Sequence, residues 1–247
     1  MALLEARELH QRFGRQIVLD GVSLSFKEGT LSGIIGPNGA GKTTCFNVLT
    51  GRFKPDRGSV HFDGDDITGR SPAAIARRGI ARSFQLMNLF DALAAIDNVI
   101  VAMPPLRRRA FQPFGAVRRD SELHARAMLL LADVGLAGKE RNLARDLAYG
   151  DRRRLEIAVA LAAEPRLLFL DEPTAGMGAE GARQLAALIE RLRQRVTIVI
   201  IEHDMPFLFS LADRISVIQW GQVIAEGTPA ELRADPWVAR SNLGVIA

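Results

Sequence analysis

Gly36-Pro37-Asn38-Gly39-Ala40-Gly41-Lys42-Thr43-Thr44 decides the fold. It spells G-x-x-x-x-G-K-T between an apolar run, Leu31 to Ile35, and a helical pattern from Thr44 to Leu49. Strand, glycine-rich loop and helix in that order predict a phosphate-binding loop. The glycines let the backbone close around an anion, because a Cβ would clash or forbid the positive φ values needed there. Successive N–H groups then converge on the anion, and the following helix adds its positive N-terminal end. In this pattern Lys42 supplies a point charge for the β- and γ-phosphates, and the Thr43 hydroxyl is a Mg²⁺ ligand. The ligand expected is a nucleoside triphosphate.

Composition sets the frame. A chain of 247 residues can bury a real core. Hydrophobic content of 48% with 24% charged residues is ordinary for a soluble globular protein. No apolar run approaches the ~18–20 residues that span a bilayer. The start, Met1 to Arg7, is broken by acid and base at once and is unlike a signal peptide. A single cysteine, Cys45, excludes an internal disulfide, and its place just after the phosphate loop suits a small buried side chain. A cytosolic compartment is expected. Net charge is +4, and the 32 basic residues are scattered among 28 acids, which is too mild a bias to imply a nucleic-acid partner.

Periodicity divides the chain. Strand-like runs at Leu3–Phe13, Ile17–Phe26 and Leu31–Ile35 are separated by turns at Gly14-Arg15 and Glu28-Gly29, as expected of antiparallel strands beside a nucleotide core. Gly51 should end the phosphate-loop helix. Ser59–Asp63 alternates like a strand before an Asp63-Gly64 turn, Pro72 opens a short helix to Arg78, and Ile80–Gln85 is strand-like. From about Leu86 to Glu164 helical patterns take over, with Ala125, Leu129, Ala132 and Val134–Leu136 expected on one side of a helix. Pro104-Pro105 and Pro113 interrupt that stretch, and Arg107-Arg108-Arg109 between them reads as a solvated loop. An inserted helical subdomain over 86–164 is the expectation. Strand and helix then alternate again: Leu167–Leu170 suits a buried parallel strand, Leu185, Leu188, Ile189 and Leu192 form a helical stripe, and Thr197–Ile201 is β-branched. Arg214–Gln219 and Gly221–Glu226 read as a hairpin, followed by short helices near Pro229–Ala234 and Pro236–Asn242.

Leu167-Leu168-Phe169-Leu170-Asp171-Glu172 ends an apolar strand in two acids. At a strand's carboxyl end beside a phosphate loop, Asp171 can hold Mg²⁺ through its water shell. Glu172 is then the candidate general base for in-line attack of water on the γ-phosphorus.

From Asp171 onward the residues closely resemble the nucleotide-binding subunits of ATP-binding-cassette (ABC) transporters. The resemblance implies ATP and Mg as cofactors. It places Phe13 where an aromatic stacks on adenine, and Gln85 where a glutamine contacts Mg²⁺ and the attacking water. Leu147-Ala148-Tyr149-Gly150-Asp151-Arg152-Arg153-Arg154-Leu155-Glu156 matches the L-S-G-G-Q signature and its basic tail. Asp171-Glu172-Pro173-Thr174 is the magnesium and base motif, and Ile201-Glu202-His203-Asp204 carries the histidine that senses the γ-phosphate. The motifs occur in family order over almost the whole chain.

The resemblance implies an α/β fold of ABC ATPase type over residues 1–247. Its P-loop NTPase core would have a mostly parallel sheet, an antiparallel β subdomain and the inserted helices. It also implies a head-to-tail pair with a homologous ATPase, in which Ala148, Tyr149, Gly150 and Asp151 face the nucleotide of the other subunit. Two membrane permeases and, indirectly, a periplasmic binding protein complete the complex at the cytoplasmic face of the inner membrane. Leu86–Phe90 would meet a permease helix. Ala148, Tyr149 and Asp151 depart from the signature consensus, and Ala175-Gly176-Met177-Gly178 lacks the usual loop aspartate. An Asp151 carboxylate facing the triphosphate would repel it and weaken this half-site, whereas one turned inward would cap a helix beginning near it. The segments around Tyr149, Met177 and His203, with Gly227-Thr228-Pro229 and Ser241-Asn242-Leu243-Gly244, are similar to ATPases of branched-chain (hydrophobic) amino-acid importers. Urea or amide importers, lipid-type exporters and soluble ABC ATPases are the alternatives.

Overall fold

Two kinds of strand build two sheets. The computed structural model of the chain describes residues 2–83, 89–104, 120–235 and 238. Strands β1 (Ala2–Phe13), β2 (Gln16–Lys27), β4 (Arg57–Phe62) and β5 (Asp65–Asp66) form an antiparallel sheet in the order β2-β1-β4-β5. From Val22 to Lys27, β2 alternates buried and exposed residues, as a strand with one wet face must. Asp63 and Gly64, with φ of 53° and 83°, close the β4–β5 hairpin in the conformation that matches strand twist.

The second sheet has the order β10-β9-β3-β8-β7-β6, from β3 (Leu31–Ile35), β6 (Ile80–Arg82), β7 (Leu167–Asp171), β8 (Thr197–Ile201), β9 (Arg214–Gln219) and β10 (Gln222–Gly227). All its pairings are parallel except β9 with β10 at the edge. Every residue of β3, β7 and β8 is buried. The expectation that the third opening run joins the antiparallel strands is therefore wrong. Leu31–Ile35 lies in the parallel sheet between β8 and β9, where its residues, Ser32 included, are covered on both faces.

Helix α1 (Lys42–Leu49) lies between the sheets, where Phe46 meets Phe169 of β7 edge to face with centroids 5.3 Å apart. Phe26 of β2 closes on the same Phe169 ring. The short helix α2 (Pro72–Ala76) is capped by Ser71, whose Oγ accepts from the Ala74 N–H. In the chain between β6 and β7, helices α3 (Ala95–Ala102), α4 (Ser121–Asp133) and α5 (Tyr149–Ala162) pack on one another, and no strand interrupts the described residues there. Helix α6 (Ala179–Leu192) buries its expected stripe of Leu185, Leu188, Ile189 and Leu192. After β8 come α7 (Met205–Leu211) and, beyond the hairpin, α8 (Pro229–Ala234) with a Thr228–Glu231 capping box.

Helix α4 turns the other way from its expected face. Leu123, Ala127 and Leu131 are buried, while Leu129 is 68% exposed and Ala125 and Ala132 face out. Apolar residues lie on both sides of this helix, so periodicity could not choose between them, and packing against α3 and α5 does. The expected Arg107–Arg109 loop, the Phe84–Asn88 part of the next segment, and the terminal helix near 236–242 lie outside the described residues. Strand β6 ends at Arg82, short of the expected Gln85. Among the described residues no helix is long and apolar enough to cross a membrane.

Candidate active site

The carboxyl ends of β3, β7 and β8 lie side by side, since Ile34 pairs with Ile201 and Ile201 with Asp171. In an open parallel sheet the crevice beyond these ends is where ligands bind. The phosphate loop leaves β3 there, and two of its glycines are demanded by geometry. A Cβ on Gly36 would stand 2.0 Å from the Ile218 carbonyl oxygen, and one on Gly41, at φ 103°, 2.6 Å from that of Val18. The Gly221 N–H donates to the Ala40 carbonyl at 3.0 Å, fastening the loop to the β9–β10 turn.

Lys42, only 6% exposed, folds back across the loop. Its Nζ donates to the carbonyls of Gly36 at 2.7 Å and Pro37 at 3.0 Å. Burial pushes its pKa down, and the Glu172 and Asp171 carboxylates push it back up. A cation held at the mouth of a ring of N–H groups is a ready anion site. Asn38 and Gly39 are exposed, Thr44 is half-buried, and Thr43 is exposed at the first turn of α1.

Thr43 and Asp171 are both in the lining of a cavity of about 790 Å³ formed by residues of α1, α2, β6 and α5. Asp171 is buried, and its N–H donates to Ser83 Oγ at 3.4 Å. Burial raises the pKa of its carboxyl, Arg82 lowers it, and Glu172 raises it further. Arg82 is held over the Phe46 ring, with Nη1 donating to Asn47 Oδ1 and Thr50 Oγ1 at 3.0 Å each. A hydroxyl and a partly desolvated carboxylate are the donor set of a magnesium site completed by phosphate oxygens and water. Among the described residues no cluster of three or more His, Cys, Asp or Glu could hold a metal unaided.

Glu172 takes a left-handed backbone, φ 44°, just beyond the strand. Such a conformation costs a non-glycine residue ~1–2 kcal/mol and tends to occur where function needs it. Its N–H stays bonded to the Ile201 carbonyl at 2.8 Å, and its Oε1 lies 3.8 Å from His203 Nδ1. His203 is 60% exposed at the end of β8. Glu202 beside it is completely buried, and the sequence motifs give it no role. The signal was available: an acid directly after four apolar strand residues, Ile198–Ile201, must find partners. It accepts from the Thr174 N–H and hydroxyl, and from the N–H groups of His203 and Asp204.

The signature segment is built differently. Helix α5 starts at Tyr149 with Ala148 as its N-cap, two residues earlier than expected, and no side chain caps it. Tyr149 is half exposed and its hydroxyl donates to the Ala175 carbonyl at 2.8 Å. The Asp151 carboxylate neither caps the helix nor stands free. Lys139 Nζ bonds it from the preceding loop, and Arg154 Nη1 lies 3.5 Å away. Among the described residues no hydrogen bond or ion pair of Ala148, Tyr149, Gly150 or Asp151 reaches the phosphate loop of the same chain. Phe13 ends β1 with 47% of its surface exposed, edge-on to Phe53 at 5.4 Å. Gln85 lies outside the described residues.

Comparison with known proteins gives the family. The ABC transporter family matches residues 19–175. The high-affinity branched-chain amino acid transport ATP-binding protein BraF of Pseudomonas aeruginosa is 40% identical over 98% of both chains. LivG of Escherichia coli, of the same description, is 39% identical over 98% of both. Among solved structures, the ADP conformation of the ATP-binding cassette MJ1267 superposes with a TM-score of 0.87 at 31% identity, covering 99% of each chain. A dimeric post-hydrolysis state of the cassette MJ0796, bound to ADP and Pi, gives 0.76 at 25% identity over 92% of this chain and 98% of that one. With its phosphate loop, its paired acids and its exposed histidine at the carboxyl ends of neighbouring parallel strands, the chain belongs to the ABC transporter family, as an ATP-binding subunit whose ATPase activity is coupled to transport.

Proposed function

We propose that the chain powers uptake of branched-chain or other hydrophobic amino acids. The observation that carries the catalytic part is the convergence of Lys42, Asp171, Glu172 and His203 at the carboxyl ends of β3, β7 and β8. Support for the substrate class is the near-full-length similarity to BraF and LivG.

In this reading residues Gly36 to Thr44 wrap the phosphates, and Lys42 exchanges its carbonyl partners for the β- and γ-phosphate oxygens. Phe13 offers an exposed ring face to adenine. Thr43 and Asp171, with Gln85, would hold Mg²⁺, and the buried Asp171 gains a counter-charge there. Bound Mg²⁺ neutralises charge on the phosphate oxygens. Glu172 accepts the proton of the attacking water, and His203, within 3.8 Å of it, orients the γ-phosphate side of the site. One chain supplies half of each composite site. Ala148 to Gly150 present the N-terminus of α5 to the nucleotide of a homologous partner ATPase in a head-to-tail pair. The pair docks through the 86–164 helical region, Leu86–Phe90 included, on two permeases at the cytoplasmic face of the inner membrane, fed by a periplasmic binding protein.

Reconstitution in lipid vesicles with the partner ATPase and permeases tests this. ATP-dependent entry of labelled leucine, with ATPase activity well above that of the chain alone, is expected. Full ATPase activity by a strict monomer, or no leucine transport by the assembled complex, contradicts it.

A further inference from the structure

The completely buried carboxylate of Glu202 has no role in the reaction as derived so far. A buried acid is expensive unless it is fully hydrogen-bonded, and an apolar residue would fill the same space without that cost. Its donors come from two loops. Thr174, two residues after Glu172, gives its N–H at 2.9 Å to Oε1 and its hydroxyl to the same oxygen. His203 and Asp204 give their N–H groups to Oε2 at 3.0 and 3.3 Å. One carboxylate thus ties the segment behind the candidate base to the segment that carries the histidine. The Nδ1 of His203 lies 3.6 Å from Oε2, so the same group also bears on the imidazole. On the other side, the Glu172 N–H is already fixed to β8 through Ile201.

We infer that Glu202 is a positioning residue, which sets the separation and orientation of Glu172 and His203 by clamping Thr174 against the His203-Asp204 turn. This rests on the reading of Glu172 as general base. Glu202→Gln keeps the shape but replaces one acceptor oxygen with an NH₂ group. That group would face N–H donors on at least one side of the clamp, so one loop must shift.

The test uses the full chain with Mg·ATP for turnover and AMP-PNP for equilibrium binding. Glu202→Gln is expected to lower kcat by roughly 10–100-fold, the loss that a misplacement of about 1 Å produces, with AMP-PNP affinity held to within about twofold. In a Glu172→Gln background the same change should cost little more, because the group it positions is already gone. Thr174→Val, which deletes one donor, should lower kcat by about 3–10-fold, and Thr174→Ser, which keeps it, should restore turnover. An unchanged kcat in Glu202→Gln overturns the inference. So does a parallel loss of kcat and AMP-PNP affinity, which marks a purely structural group. If Glu202→Gln does not fold, equal turnover in Thr174→Val and Thr174→Ser overturns it instead. Failure of the base assignment itself shows separately, as normal turnover in Glu172→Gln alone.

Discussion

The phosphate loop and the signature segment are both short glycine-containing turns that open a helix, yet they are held by different physics. In the first, backbone crowds backbone: Gly36 and Gly41 lie so near the carbonyls of Ile218 and Val18 that no other residue fits. In the second, side chains do the holding. Tyr149 bonds Ala175, Lys139 and Arg154 bracket Asp151, and Gly150 has open space where a Cβ would go. A motif enforced by steric exclusion tolerates no drift. A motif held by replaceable side chains can depart from its consensus and still present a helix N-terminus.

That contrast can be broken by substitution. Gly36→Ala is expected to destabilise the fold by about 2–4 kcal/mol and to abolish nucleotide binding, since the obstruction is a carbonyl that cannot rotate away. Thermal melting with equilibrium ATP binding checks both. Asp151→Asn keeps the size of the side chain but weakens its ion pairs with Lys139 and Arg154. A loss of up to about 1 kcal/mol in stability is expected, with turnover within about twofold, because these pairs are only partly screened from solvent. A rise in turnover and in ATP-driven pairing would mean instead that the carboxylate confronts the nucleotide. Gly150→Ala should change least, with stability the same or higher by up to ~1 kcal/mol, as alanine favours a helix. A large loss there would show that the two glycine motifs obey the same steric rule after all.

Asp171 sharpens the comparison from the side of charge. Its folded pKa is raised, chiefly by burial, so the unfolded carboxyl ionises more readily than the folded one. Its charge therefore opposes folding at pH values above its folded pKa, and the penalty disappears below the unfolded pKa. Asp171→Asn should raise the Tm of the metal-free chain at neutral pH, with a gain that shrinks on acidification, while eliminating Mg-dependent turnover. A lower Tm at neutral pH would place the attraction of the Arg82 charge above the cost of burial.

What could be read in the chain follows the same division. The loop from Gly36 to Thr44 and the buried runs ending at Asp171 and Ile201 were legible, because burial on both faces and forced glycines leave local marks. The partner of β3 was not. Proximity in sequence favoured β1 and β2, whereas a strand buried along all five of its residues, Ser32 included, belongs in a parallel sheet. The face of α4 could not be chosen, because apolar residues lie on both of its sides and only α3 and α5 decide between them. The residues around Asp151 allow either a cap or a repulsive charge. Its actual partner, Lys139, is twelve residues away across a loop that no local pattern announces. Glu202 is masked by its neighbour: His203 is the chemical group of the motif, and the acid that anchors its backbone carries no motif of its own.

The account depends most on Glu172 as the group that takes the proton from water. Glu172→Gln in the full chain, with ATP affinity measured at equilibrium and phosphate release at steady state, tests it directly. Affinity within about twofold of the unaltered chain and turnover lower by ~10²–10⁴-fold are expected, since the amide cannot accept the proton. Turnover close to that of the unaltered chain, with binding intact, would contradict it.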